Sequence, residues 1–238
     1  MNNLVLSLLL AALWLACAAA GSAVEEAPAA RGAGETLDEF IARMDARAEE
    51  IETLEADLRY ARREEFRPER ERVSTGKIYV RKPSDMYIEF TDPYPRRIWI
   101  TDDYIVDYKV DLNSAEKVEL ADENRPEIIG LSTRFSELKG DFRMELARPG
   151  GDHPSGYILT LTPAEGVEAD FTSASVEVDA ESLLPVRVTE KNSRLKRDKI
   201  YTFTNIRENP RLSDRLFTPD LRRDTSVTVH EPGDWKGP

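Results

Sequence analysis

Gly76-Lys77-Ile78-Tyr79-Val80-Arg81-Lys82-Pro83, followed by Met86-Tyr87-Ile88-Glu89-Phe90, Pro93, Ile98-Trp99-Ile100-Thr101-Asp102-Asp103 and Val106-Asp107-Tyr108, is the stretch whose period settles the fold class. Ile78 and Val80 share one side of an extended segment. Met86, Ile88 and Phe90 share one side of the next, with Tyr87 and Glu89 opposite. Such alternation describes strands with one apolar and one wet side, here separated by proline and aspartate turns. A sheet of this kind has to cover its apolar side, and what covers it bears directly on function.

The same rhythm continues outward. Residues 57–73 read as two strands joined by a charged turn around Pro68, and strand patterns recur at 117–120, 142–146, 157–161, 174–178, 186–188 and 200–206. Turn-forming runs at 149–152, 163–166 and 179–185 separate several of them. About ten to eleven short strands with short connections predict a strongly bent antiparallel meander.

Two segments break the pattern. Thr36-Leu37-Asp38-Glu39 is a capping box, and Leu37, Phe40, Ile41, Met44, Ala48, Ile51 and Leu54 follow at three- and four-residue steps. The spacing predicts a long N-terminal helix whose apolar face lies against the sheet. Residues 125–138 carry Pro126 at a helix start and Ile128, Ile129 and Leu131 behind it, which predicts a second, short helix. The fold class is therefore α+β: an open, strongly curved antiparallel sheet, a half-barrel, with the long helix against its concave apolar face and a second, short helix. Met86, Ile88, Phe90, Ile98, Ile100, Val106 and Tyr108 are the candidate lining of that face.

The chain of 238 residues is long enough for one substantial domain. It carries 33 Lys and Arg against 45 Asp and Glu, a net charge of −12, which argues against nucleic-acid binding through the overall field. Residues 4–20 form a leucine and alanine run that ends in Gly21-Ser22-Ala23, the pattern of a secretory signal, although Met1-Asn2-Asn3 lacks a basic residue. The expected organisation is a signal over 1–23, a linker over 24–35, one domain over 36–230 and a tail over 231–238. Cys17 is the sole cysteine, and Leu15-Ala16-Cys17 has the shape of a lipoprotein box, with Trp14 where leucine is usual. Cleavage beyond Cys17 gives a soluble periplasmic protein; acylation of Cys17 gives a membrane-anchored one.

Catalytic signals are sparse. His153 and His230 have no serine or aspartate at an assignable triad spacing, Gly150-Gly151 is isolated, and no H-x-x-x-H occurs. The expectation is a binder and not an enzyme, with no catalytic residue, metal or cofactor.

The quoted stretch resembles the periplasmic outer-membrane lipoprotein carrier family, the LolA-type proteins. Gly76, the basic pair Arg81-Lys82 before Pro83, the strand from Met86 to Phe90, Pro93, the turn at Asp102-Asp103 and Tyr108 follow the family's order. Tyr201-Thr202-Phe203-Thr204-Asn205-Ile206, Asn209-Pro210, Leu212-Ser213-Asp214 and Leu216-Phe217 resemble its closing segment, so the resemblance covers roughly 36–230. It implies a carrier that holds acyl chains of lipoproteins or other lipids in an apolar cavity. The partners implied are an inner-membrane export complex as donor and an outer-membrane acceptor, and the protein is expected to be a monomer. Leu37, Phe40, Ile41, Met44, Ile128 and Ile129 become the lid. In the family an arginine before the first proline bonds the lid; here Lys82 stands there, preceded by Arg81, and either could be the latch. Departures include Met86 for an aromatic, Asp103 for a glycine, and Leu58-Arg59-Tyr60 for phenylalanine-threonine-glutamine. Two alternatives share the fold: a lipid-anchored acceptor at the outer membrane, and an envelope-stress regulatory module.

Overall fold

A computed structural model describes residues 35–120, 134–148, 156–167 and 169–231. The expected signal, Cys17, nearly all of the linker, Pro126, Ile128, Ile129, Leu131, His153 and the tail beyond Glu231 lie outside the described residues.

The capping box forms as the sequence suggests. Thr36 Oγ1 accepts from the Glu39 amide at 3.2 Å, and Glu39 Oε2 accepts from the Thr36 amide at 2.7 Å. Helix α1 (Leu37–Glu49) follows, with Asp38 and Glu39 in its first turn and Arg47 in its last, each sign matching the helix dipole. Phe40, Ile41 and Met44 are buried along one side. The helix is shorter than its apolar spacing implies. Ile51 falls in the connection and Leu54 enters a strand, because Leu54 also begins the alternation Leu54, Ala56, Leu58, Tyr60, and that strand pairs on both edges.

The strands are β1 (Thr53–Glu64), β2 (Arg67–Arg81), β3 (Asp85–Asp92), β4 (Arg96–Ile100), β5 (Tyr104–Lys109), β6 (Ser114–Glu119), β7 (Phe142–Ala147), β8 (Gly156–Pro163), β9 (Ser173–Asp179), β10 (Pro185–Asn192), β11 (Arg197–Glu208) and β12 (Ser226–His230). They form one twelve-stranded open sheet in the order β12-β6-β5-β4-β3-β2-β1-β11-β10-β9-β8-β7. Every pairing is antiparallel except β12 with β6, which is parallel. The strand count exceeds the expected ten to eleven. Residues 226–230 carry no strand expectation from the sequence, yet they add an edge strand whose Val227 and Val229 remain exposed. Gly76 sits tight against β3: a Cβ there would lie 1.9 Å from the Glu89 carbonyl oxygen, so the position excludes every other residue.

Among the described residues, the helices differ from expectation in number and place. Of the segment 125–138, the described part yields only the start of a 3-10 turn, Glu137–Gly140, and a second 3-10 turn, Asp214–Phe217, lies near the C-terminal end.

Both faces of the sheet are covered around β3 to β6. The inner face, toward α1, carries the main apolar cluster, which includes Phe40, Ile41, Met44, Ile78, Val80, Met86, Ile88, Phe90, Ile98, Ile100 and Ile105. The outer face carries a second cluster of Tyr87, Trp99, Val106, Tyr108, Ala115 and Phe217. The C-terminal segment closes over it: Trp99 Nε1 donates to the Leu216 carbonyl at 3.0 Å, and the Arg81 guanidinium lies 4.3 Å from the Phe217 ring centre.

Candidate functional site

The inner face is built in rows of cross-strand partners. Val80 opposes Met86, Met86 opposes Ile100, and Ile100 opposes Ile105. The next row runs Ile78, Ile88, Ile98, and then Phe90 faces Gly76 and Arg96. Met86, Ile88, Phe90, Ile98 and Ile100 thus lie together, each at most 5% exposed, in one cluster with Phe40, Ile41 and Met44 of α1; Leu37 packs at its margin. Helix α1 crosses this face toward β8, where the Phe40 ring centre sits 4.5 Å from that of Tyr157.

Val106 and Tyr108 do not join this lining. Val106 is the cross-strand partner of Trp99, and both belong to the outer cluster. The inward positions of β5 are Ile105 and Asp107, the partners of Ile100 and Ile98. Alternation fixes which residues share a face, but the phase of β5 is opposite to the sequence expectation because its charged residue points inward. Asp107 is 1% exposed, and Arg96 Nε donates to its Oδ1 at 2.6 Å, which satisfies the charge.

Polar contacts at a few points hold α1 in place. At its C-terminal end Lys82 Nζ donates to the Ala48 carbonyl at 2.6 Å and to the Glu49 carbonyl at 3.3 Å. A cation on the last carbonyls meets the negative end of the helix dipole. Partial burial drives the Lys82 ammonium pKa below its ordinary value. Arg81 points the other way, with its guanidinium on Asp85 and Asp214. Arg47 pairs with Glu208 and donates to the Ser182 carbonyl at 3.2 Å. Along the helix, the buried Asp45 carboxylate accepts from the Phe135 and Ser136 amides at 2.8 and 3.2 Å, and Lys139 pairs with Asp38 at 2.9 Å. The segment 134–139 therefore runs beside α1 in the opposite direction.

Asn209 braces the joint between α1 and β1. Its Oδ1 accepts from the Glu52 amide at 2.7 Å and its Nδ2 donates to the Glu50 carbonyl at 3.0 Å. A cleft beside this joint, lined by Ala48, Ile51, Glu52, Thr53, Leu54, Val80 and Lys82, has a free volume of about 10 Å³, room for one water.

Toward the strand ends remote from α1 the inner face turns polar. The Tyr60 and Tyr201 ring centres lie 5.1 Å apart, and burial pushes the Tyr60 hydroxyl up to about 12 and the Tyr201 hydroxyl well above its usual value. Glu190, on β10, is 6% exposed; burial raises its carboxyl to about 7, against the opposing pull of Lys199. The sequence alone assigns no role to Tyr60, Glu190 or Tyr201. Their signal is present only in part, as the continuation of Leu58 to Tyr60 in period two. Among the described residues no group of three His, Cys, Asp or Glu could hold a metal, and no helix is long and apolar enough to cross a membrane.

The fold is similar to that of an uncharacterized conserved protein from Thermus thermophilus, with a TM-score of 0.51 and 14% identity over 79% of this chain and 98% of the other. A putative outer membrane lipoprotein-sorting protein domain from Vibrio parahaemolyticus matches with a TM-score of 0.44 and 11% identity, over 76% of this chain and 95% of the other. The Mycobacterium tuberculosis lipoprotein LppX matches with a TM-score of 0.44 and 14% identity, over 75% of this chain and all of the other, 100%. No curated protein sequence matches the chain. The family model for the outer membrane lipoprotein carrier protein LolA matches residues 64–220, more than half of the sequence, and the chain belongs to that family.

Proposed function

We propose that this protein is a periplasmic carrier that shelters acyl chains of lipoproteins or other lipids on the inner face of its sheet. Delivery runs from a donor at the inner membrane toward an acceptor at the outer membrane. One observation carries the reading: among the described residues, the broadest apolar surface of the sheet is covered by α1, of 13 residues, with Phe135 and Leu138 beside it, and α1 is anchored through polar contacts that can be exchanged with water. Lifting α1 uncovers Met86, Ile88, Phe90, Ile98 and Ile100 together. Each methylene buried there contributes about 0.8 kcal/mol, so a long acyl chain replaces the helix side chains it displaces. Lys82 is the latch in this scheme, and Arg81 belongs to the outer cover.

Native mass spectrometry of protein purified from its host envelope tests the proposal. Adducts with the mass of one or two acyl-bearing molecules are expected. The reading is overturned if the wild type carries no such adduct and a Lys82→Ala variant, with its helix loosened, also takes up no fluorescent diacylglycerol.

A further inference from the structure

We propose that the inner face also binds the phosphate of an amphiphilic ligand, through Arg62, Arg72 and Lys199 at the end remote from α1. The inference rests on the carrier reading and gives its ligand a head as well as a tail.

The three side chains form one row. Arg62 on β1 is the direct partner of Lys199 on β11 and of Arg72 on β2. Pairing is regular from Thr53 to Arg62 against β2, and from Asp57 to Glu64 against β11, so alternation keeps its phase up to this row. Arg62 and Lys199 each stand two residues from Tyr60 and Tyr201, whose rings meet on the inner face. The Arg62 charge acts on both tyrosine hydroxyls.

Like charges directly opposite one another oppose strand pairing. Several cations on these and nearby strands have found acids. Arg59 and Arg63, on the outer side of β1, share Glu71 at 2.8 and 3.1 Å; Arg96 holds Asp107, and Lys109 holds Glu116 at 2.6 Å. Arg62, Arg72 and Lys199 have no ion pair within 4.0 Å among the described residues. Glu190 faces Lys199 across β10 and β11 without a hydrogen bond among the described residues, so one acid stands at the edge of a row of three bases. In a chain of net charge −12, this concentration of positive charge without ion pairs on the inner face points to an anionic partner.

The order of residues along the three strands gives that partner its shape. From the α1 end, β1 reads Leu54, Ala56, Leu58, Tyr60, Arg62; β11 reads Phe203, Tyr201, Lys199; β2 reads Val80, Ile78, Gly76, Ser74, Arg72. Each passes from apolar to hydroxyl to cation. A phospholipid has the matching order of hydrocarbon, ester and charged oxygens. At about 3.3 Å per residue, Leu54 to Leu58 covers roughly 13 Å, close to one leaflet of a ~30 Å bilayer core. Guanidinium groups suit phosphate because they donate in a planar fork.

The full chain is titrated with diacylglycerol, phosphatidylcholine and phosphatidylglycerol bearing the same labelled acyl chains, and with inorganic phosphate as competitor. Phosphatidylglycerol is expected to bind about tenfold more tightly than diacylglycerol, the equivalent of one charge-assisted hydrogen bond, and the advantage is expected to shrink with salt. The double variant Arg62→Gln with Lys199→Gln is expected to lose the advantage while binding diacylglycerol as the wild type does, with an unchanged or higher Tm. Equal binding of all three lipids overturns the proposal, as does competition by inorganic phosphate with no preference among lipids. A fall in Tm together with lost diacylglycerol binding in the variant also overturns it, since the row is then structural. Failure of the wild type to bind even diacylglycerol overturns the carrier reading itself.

Discussion

Glu190 shows how one residue couples the inner face to pH. Its carboxyl is raised to about 7 by burial, with Asp170 adding to the shift and Lys199 opposing it. In the unfolded chain a glutamate ionises near 4.5. Below that pH both states hold the proton, and the group's contribution to stability is fully present. As pH climbs toward 7 the unfolded state ionises first, and the contribution is lost through the folded pKa. The loss amounts to about 3 kcal/mol at most. Replacing Glu190 by Gln keeps the shape and removes the titration. Urea unfolding at pH 5 and pH 8 is expected to show the variant gaining stability relative to wild type at the higher pH only. Parallel pH curves for the two proteins would mean that Glu190 is ionised and paired with Lys199. Other single residues explain where sequence reading stops. Met86, Ile88 and Phe90 fall on one face in sequence and structure alike, because Tyr87 and Glu89 between them fix the phase. In β5 the apolar pair Val106 and Tyr108 competes with Ile105 and Asp107, and nothing local reveals that Arg96, on the neighbouring strand, neutralises Asp107.

At the scale of elements, α1 depends on its ends. The capping box is legible because Thr36 and Glu39 act on each other within one turn. The C-terminal boundary is not, because Ile51 and Leu54 continue a helical spacing while Leu54 also starts the strand period; pairing with both β2 and β11 decides the contest. The outer cover is hidden for a similar reason. Leu212, Leu216 and Phe217 carry little period of their own, and only the folded sheet shows what they pack against. The proposed latch belongs to this scale, since Lys82 bonds the last carbonyls of the helix. Lys82→Ala removes both hydrogen bonds to the last carbonyls of α1. The closed position of the helix is expected to weaken by about 1–2 kcal/mol, so that amide exchange in α1 quickens roughly tenfold while β1 and β11 keep their protection. Equal loss of protection in helix and sheet would make Lys82 a general structural contact and remove its role as a latch.

At the scale of the whole molecule, the question is what opens a closed bowl. Phe40, Ile41 and Met44 are at most 4% exposed, and each buried side chain of this size contributes roughly 1.5–3 kcal/mol. Lifting all three therefore costs on the order of 5–9 kcal/mol, before the polar tethers are counted, and the empty protein is open for well under one part in a thousand of the time. An acyl chain returns about 0.8 kcal/mol per buried methylene. The two quantities balance at roughly six to eleven methylenes, which gives the proposed carrier a threshold without any residue that measures length. On the proposed carrier reading, short chains leave the helix down and chains of the length found in membranes hold it up. Titration with single-chain ligands of increasing length is expected to show almost no binding at six carbons and a steep rise between ten and sixteen, with α1 amides losing protection only where binding occurs. Binding that rises evenly from the shortest chain, with α1 still protected, would place the ligand on another surface and leave the inner face as ordinary core.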